Sequence, residues 1–118
     1  MIRILIADDS EMIQDGLTSL LNAQPEFDVV GLASDGAEAI EKVDDLLPDL
    51  VVMDAQMPNV DGIEATKRIK EKTPHVKIIF FSVFVDGLEA GMRAGADGYL
   101  LKDCEPHELI SRIIEIAG

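Results

Sequence analysis

Short apolar runs alternate with amphipathic stretches along the whole chain. Ile2 to Ala7, Val29 to Ala33, Leu50 to Met53, Lys77 to Phe81 and Gly98 to Leu101 read as five strands. They are rich in Val, Ile and Leu and mostly continuous rather than alternating. That is the pattern of strands covered on both faces, hence of a parallel sheet. In the first helical pattern Ile13, Leu17, Leu20 and Leu21 form one apolar stripe, opposite Glu11, Gln14, Asp15, Thr18 and Ser19. In the second Ala37, Ile40 and Val43 repeat, with Asp35 and Glu38 spaced as a capping pair. The third runs from Asp61 to Lys72. The last carries Leu109, Ile110, Ile113, Ile114 and Ala117 on its inner side and leaves Ile116 outward, with Pro106 in its first turn. Asp86 to Ala94 is the poorest helix. Gly87 and Gly91 each weaken it by about 1 kcal/mol against Ala, so it is expected to be short and mobile.

Strands alternating with helices predict a doubly wound α/β fold, with right-handed crossovers placing helices on both faces of the sheet. In such sheets ligands bind beyond the carboxyl ends of the strands. The residues just past each strand are therefore where chemistry is sought.

The chain's 118 residues suffice for one domain with one core, and 47% apolar with 28% charged residues is a globular balance. No apolar run approaches a membrane span, and Met1 leads straight into a strand without a leader, which makes the cytoplasm the expected compartment. Cys104 is alone, so no internal disulfide forms; it reads as a small, partly buried residue near a loop. A net charge of −13 repels nucleic acid. The densest basic group, Lys67, Arg68, Lys70 and Lys72, reads as a solvated helix face. By itself this chain is not expected to bind DNA.

The first strand leads into Asp8, Asp9 and Ser10, the third into Asp54, the fourth into Ser82 and the fifth into Lys102. Taken singly each has an ordinary reading: a helix cap for Asp8, a turn for Asp54, a strand end for Ser82, a snorkelling stem for Lys102. Together they form the polar set of a metal-assisted phosphoryl site at one edge of the sheet. Converging carboxylates repel unless a cation neutralises them. Mg²⁺ favours such oxygen donors and keeps several waters. A carboxylate such as Asp54 can act as nucleophile toward phosphorus, giving an acyl phosphate. Ser82 can donate a hydrogen bond to a phosphoryl oxygen, and Lys102 supplies a point charge.

With these residues in place, the chain resembles a bacterial response-regulator receiver domain from Ile2 to the final helix, and residues 1–118 are read as that one domain. The resemblance rests on Leu5-Ile6-Ala7-Asp8-Asp9-Ser10, Pro48-Asp49-Leu50-Val51-Val52-Met53-Asp54, Met57-Pro58-Asn59-Val60-Asp61-Gly62 and Gly95-Ala96-Asp97-Gly98-Tyr99-Leu100-Leu101-Lys102-Asp103. The last piece is most similar to the nitrate-response and LuxR-type subfamily, which carries a C-terminal helix-turn-helix DNA-binding domain. The resemblance implies a flavodoxin-like (βα)5 receiver fold, with a five-stranded parallel sheet in the order 2-1-3-4-5 flanked by five helices. It implies that Asp54 accepts a phosphoryl group from a sensor histidine kinase. Mg²⁺ would be held by Asp9, Asp54 and the backbone carbonyl of Gln56, with Asp8 acting mostly through metal-bound water. Ser82 and Lys102 would hold phosphoryl oxygens. Tyr99 would be an aromatic switch that turns inward as Ser82 moves toward the phosphate, while residues 83–94 become ordered. Pro58 and Gly62 would shape the loop and helix start after Asp54.

The output would be transcription control through a DNA-binding domain absent from this chain, with a possible homodimer on phosphorylation. A stand-alone receiver in a phosphorelay is the alternative. The chain departs from many receivers in having Asp103 rather than Pro after Lys102, so a cis bond there is not assumed. It also departs in Val83, which narrows access to the site, and in Gln56, whose side chain bears on hydrolysis. Rival classes fit less well. A haloacid-dehalogenase-type phosphohydrolase needs Asp-x-Asp where Asp8 and Asp9 are adjacent, and a flavin or nucleotide binder needs a phosphate loop where Asp8-Asp9-Ser10-Glu11 stands. A receiver that no longer uses phosphate would not need the full set Asp9, Asp54, Ser82 and Lys102. The domain is expected to be a signalling element, catalysing only its own phosphorylation and dephosphorylation.

Overall fold

Ten elements succeed one another as strand and helix. They are β1 (Ile2–Ala7), α1 (Glu11–Asn22), β2 (Phe27–Ala33), α2 (Gly36–Leu46), β3 (Leu50–Met53), α3 (Gly62–Lys72), β4 (Lys77–Ser82), α4 (Val85–Arg93), β5 (Gly98–Leu101) and α5 (Pro106–Ala117). The computed structural model describes residues 1–83 and 85–118, with the side chains of 85–88 outside the description. The strands pair in parallel in the order β2-β1-β3-β4-β5, as expected. β2 begins two residues earlier than its apolar run suggests, because Phe27 is buried with Leu17 and Leu21 of α1 in one core cluster. β4 extends to Ser82.

Successive side chains of the central strands point to opposite faces and feed two clusters. Leu5, Val51, Met53, Ile78 and Phe80 pack under α2 and α3 with Ala39, Val43, Ala65 and Ile69. Ile4, Ile6, Leu50, Val52, Ile79 and Phe81 pack under α1 and α5 with Leu17, Leu21, Leu109 and Ile113. Both faces of the sheet are thus covered, which is why these strands read as unbroken apolar runs.

Three helix faces differ from their expected orientation. In α1 Gln14 is buried rather than solvated, in line with Leu17 and Leu21. In α2 the inward positions are Gly36, Ala39 and Val43, while Ala37 is exposed. In α5 Ile114 is exposed, and Ile116, expected to point outward, packs on the cluster under α1 and α5. Side-chain size does not separate neighbouring apolar positions on a rich helix; here Ile116 packs over Gly98 of β5, where a Cβ would stand 2.7 Å from its Cδ1. Lys70 also leaves the solvated stripe: its ammonium pairs with Asp97 at 2.8 Å and donates to the Val76 carbonyl at 2.7 Å.

Helix starts are capped as the spacing requires. Asp35 accepts from the Glu38 N–H and the Glu38 carboxylate accepts from the Ser34 N–H. Asp61 caps α3 by accepting from the Glu64 N–H. Pro106 sits in the first turn of α5. The expected helix over 86–94 forms as α4, and Gly91 is there for packing: a Cβ on it would stand 2.6 Å from the Phe80 ring. The expectations on Asp86, on Gly87 and on the ordering of residue 84 lie outside the described residues. Among the described residues no peptide bond is cis, including that after Lys102. Cys104 is half-buried, as expected, and its thiol is pushed up by burial and by the carboxylates of Glu108 and Asp103.

Two neighbouring positions of α3 give opposite predictions. A Cβ on Gly62 would meet the Asp54 carbonyl oxygen at 1.9 Å, a backbone atom that cannot step aside cheaply. Gly62→Ala is expected to lower unfolding free energy by about 3 kcal/mol, at the upper end for overpacking. Thr66 is fully buried, and among the described residues its Oγ1 is the buried side-chain polar atom without a hydrogen-bond partner. Thr66→Val keeps the shape and is expected to raise stability by about 1 kcal/mol. Urea denaturation of both variants checks the two signs.

Candidate functional site

The sheet register assembles the site. Ala7 lies opposite Met53, so the next residues along each strand, Asp8 and Asp54, leave the sheet side by side. Their backbones stay in the ladder for one more bond: Asp54 N–H donates to the Ala7 carbonyl and Asp8 N–H to the Ala33 carbonyl, each at 2.9 Å. At the other side Ser82 lies opposite Leu101, and the Lys102 N–H donates to the Ser82 carbonyl at 2.8 Å. The carboxyl ends of β1, β3, β4 and β5 therefore present Asp8, Asp9, Asp54, Ser82 and Lys102 along one edge.

Carboxylate oxygens of Asp8, Asp9 and Asp54 lie within 4.8 Å of one another. Asp8 and Asp54 are buried and Asp9 is exposed. The Lys102 ammonium reaches across, 2.7 Å from Asp8 Oδ2 and 3.2 Å from Asp54 Oδ2. The other Asp8 oxygen accepts from the Ser10 N–H at 2.9 Å, and the other Asp54 oxygen from the Gln56 N–H at 3.3 Å. Each oxygen of the two buried carboxylates thus has a donor, but one ammonium serves both acids with a third acid beside them.

Burial shapes the titration of Asp54 and Lys102. Burial, with the charge of Asp8 adding to it, holds the Asp54 carboxyl above its ordinary value of 3.8, although Lys102 and the Gln56 N–H pull the other way. For Lys102, burial is the largest single influence and works downward. The hydrogen bonds and charges of Asp8 and Asp54 together outweigh it and raise the ammonium above 10.5.

The chemistry of this donor set suits Mg²⁺. All three side chains offer hard anionic oxygens that lie within 4.8 Å of one another, the kind of donor that Mg²⁺ prefers. A cleft of about 740 Å³ opens beside them, lined by Asp9, Asp54, Gln56, Met57, Asp61 and Val83 among others. It leaves room for retained waters beside the acids. Val83 lines this cleft and stands 60% exposed.

Tyr99 is not part of this cluster. It is about half exposed on β5, beside a separate hollow with Asp103, Cys104, Glu108 and Arg112. Two contributors escaped the sequence reading. Asp61, seen there only as a helix start, also lines the cleft. Gln14 donates from Nε2 to the Asp8 carbonyl at 2.6 Å. Its spacing of three and seven residues from Leu17 and Leu21 was the available signal that it faces inward.

Comparison with known proteins agrees with this geometry. A family model described as the response regulator receiver domain matches residues 4–114. The transcriptional regulatory protein LnrK of Bacillus subtilis (strain 168) is 39% identical over 118 residues, covering 98% of this chain and 54% of LnrK. The nitrate/nitrite response regulator protein NarL of Escherichia coli (strain K12) is 38% identical over 117 residues, covering 98% of this chain and 54% of NarL. The chain spans about half the length of these curated relatives. A solved two-component response regulator of the LuxR family, from Aurantimonas sp. SI85-9A1, superposes with a TM-score of 0.94 at 33% identity, covering 99% of this chain and 85% of that one. With the match running from β1 into α5 and the acids standing where the sheet register puts them, the chain belongs to the response regulator receiver domain family.

Proposed function

We propose that residues 1–118 act as one phosphoacceptor domain in which Asp54 takes a phosphoryl group from a phosphohistidine of a sensor kinase. The observation that carries this is the convergence of three carboxylates within 4.8 Å, with the Lys102 ammonium bridging two of them. An Asp54 oxygen attacks phosphorus, the bond from phosphorus to the histidine nitrogen breaks, and an acyl phosphate remains on Asp54. Bound Mg²⁺ supplies charge neutralisation between the acids and the phosphoryl oxygens. Asp9, Asp54 and the Gln56 carbonyl would hold it, with Asp8 acting through water.

The Lys102 ammonium, already at hydrogen-bond distance from Asp54, is placed to track the charge onto a phosphoryl oxygen. Ser82, buried and bonded through its carbonyl to the Lys102 backbone, would donate to another. Asp54 reacts as an anion; burial raises its carboxyl in the metal-free protein, and a cation bound beside it would favour the reactive form. Tyr99 is the proposed switch: outward now, it turns inward as Ser82 engages the phosphate.

The transcriptional regulatory protein LnrK among the relatives supports transcription control as the output; a further DNA-binding segment, work in the cytoplasm and pairing with a second copy on phosphorylation complete the proposal. Among the described residues no helix is long and apolar enough to cross a membrane. The excess of acid over base argues against contact with DNA by this chain itself.

The charge balance can be tested in two ways. Incubation with acetyl phosphate and Mg²⁺ is expected to add the mass of one phosphoryl group, and Asp54→Ala to add none. A wild-type mass that stays unchanged, or an Ala variant labelled equally, refutes the assignment; steady release of phosphate from small esters would instead favour a hydrolase. The second test concerns stability. A carboxyl whose folded pKa is raised is more readily ionised in the unfolded chain, so ionised Asp54 subtracts from stability at neutral pH. That penalty shrinks as pH falls through the folded pKa and is gone below the ordinary value of 3.8. Asp54→Asn is therefore expected to melt above wild type at pH 7 without metal, the gap closing toward pH 4. Mg²⁺ at a hundred times its dissociation constant should add about 2.7 kcal/mol to wild type and much less to the variant. Calorimetry across pH and Mg²⁺ concentration reads both effects.

A further inference from the structure

We propose that Gln14 is a positioning residue for the acid site: its buried amide sets the peptide that joins Asp8 to Asp9, and so the direction in which Asp9 meets the metal. This role rests on the phosphoacceptor function of Asp54. Gln14 is 6% exposed on a helix whose adjacent positions Ile13 and Asp15 are half-buried and exposed. It sits one turn into α1, where its own N–H makes the helical bond to the Ser10 carbonyl at 3.0 Å. Helix side chains lean toward the N-terminus, so a residue at this position covers the turn that precedes it. Its Nε2 lies 2.6 Å from the Asp8 carbonyl, 3.2 Å from the Ala33 carbonyl and 3.3 Å from Ser34 Oγ.

These contacts leave Asp8 little freedom. Its N–H donates to the Ala33 carbonyl, one side-chain oxygen accepts from the Ser10 N–H and the other from Lys102. The Asp8 carbonyl is the remaining polar group of the residue, and Gln14 occupies it. The plane of that carbonyl is the plane of the Asp8–Asp9 peptide. Rotating it would swing Asp9, whose side chain is exposed and so takes its direction from the backbone. The same amide touches the end of β2 and the loop after it, so the acid loop is braced against the neighbouring strand rather than against solvent. A buried amide kept only for packing would be an unfavourable choice beside Leu17 and Leu21, since each buried polar group must find partners.

The test uses Gln14→Met, which keeps length and loses the donor, with Leu21→Val two turns along the same face as a control for stability alone. Mg²⁺ binding is read by calorimetric titration and by amide shifts of Asp9. The Gln14→Met dissociation constant is expected to rise about tenfold, the lower range for groups that orient metal ligands, and acetyl phosphate labelling to slow in step. Leu21→Val should melt lower while binding Mg²⁺ as wild type does. Gln14→Asn, an amide too short to reach, is read in the same way should the Met variant not fold, with the same weakening expected. Mg²⁺ affinity and labelling equal to wild type in whichever Gln14 variant folds overturn the positioning role and leave the phosphoacceptor function intact. Absence of both Mg²⁺ binding and labelling in the wild type removes that function, and the role of Gln14 with it.

Discussion

Crowding of like charge at the carboxyl edge of the sheet is the constraint on which the rest depends. Two unit charges about 4 Å apart near a protein surface oppose each other by about 4 kcal/mol, an appreciable fraction of a domain's whole stability. Free carboxylates would drift apart. Here they cannot, because Asp8 and Asp54 are the first residues past paired positions of β1 and β3, and their amides are still tied into the ladder. The hydrophobic sheet holds the acids together against their repulsion. What the cluster would offer a cation is set by backbone geometry rather than by the side chains themselves.

Lys102 relieves this repulsion without abolishing it. One ammonium bonded to both Asp8 and Asp54 leaves the cluster net negative, which is the condition for attracting a divalent ion. Since Lys102 stays charged at neutral pH, its contacts can be exchanged without a proton being moved. In the proposed reaction it need only shift from carboxylate to phosphoryl oxygen. The position of Lys102 is in turn set by β5, whose last residue lies beside Ser82. A change at the phosphoryl group would thereby reach both ends of the segment from Ser82 to Lys102, which contains α4 and Tyr99.

What the residues reveal by themselves divides along physical lines. The five strands, their parallel pairing and the acids at their ends were legible because burial on both faces writes unbroken apolar runs, and because strand ends are where such folds bind ligands. The caps Asp35 and Asp61 were legible as spacing to Glu38 and Glu64. The angular setting of the helices was not. Ile114 against Ile116, Ala37 against Ala39 and Lys70 against its basic neighbours differ only in where the helix rolls on the sheet, which tertiary packing decides. Gln14 was misplaced for another reason: a polar residue is ordinarily taken for solvent, and only the backbone carbonyls waiting beneath it make burial favourable.

The loop after β3 shows the same bracing from the opposite side of the site. Asn59 has a left-handed backbone, φ 64°, and its side-chain amide donates to Asp35 Oδ2 at 2.8 Å. That carboxylate is held below its ordinary value by the Glu38 N–H and by Asn59. The Gly36 N–H donates to the Val60 carbonyl at 2.7 Å, and a Cβ on Gly36 would stand 2.0 Å from that oxygen. The start of α2 therefore lies directly against residues 59–60, as the start of α3 lies against the Asp54 carbonyl through Gly62. Glycine is needed at both contacts because nothing larger lets two backbones come so close. The segment that carries Gln56 is clamped between two helix N-termini, and the Asp8–Asp9 turn is clamped by a third. Loops are commonly the yielding parts of a fold. These are set by backbone contacts and side-chain amides, which is what a site must have if a cation is to meet its oxygens already in place.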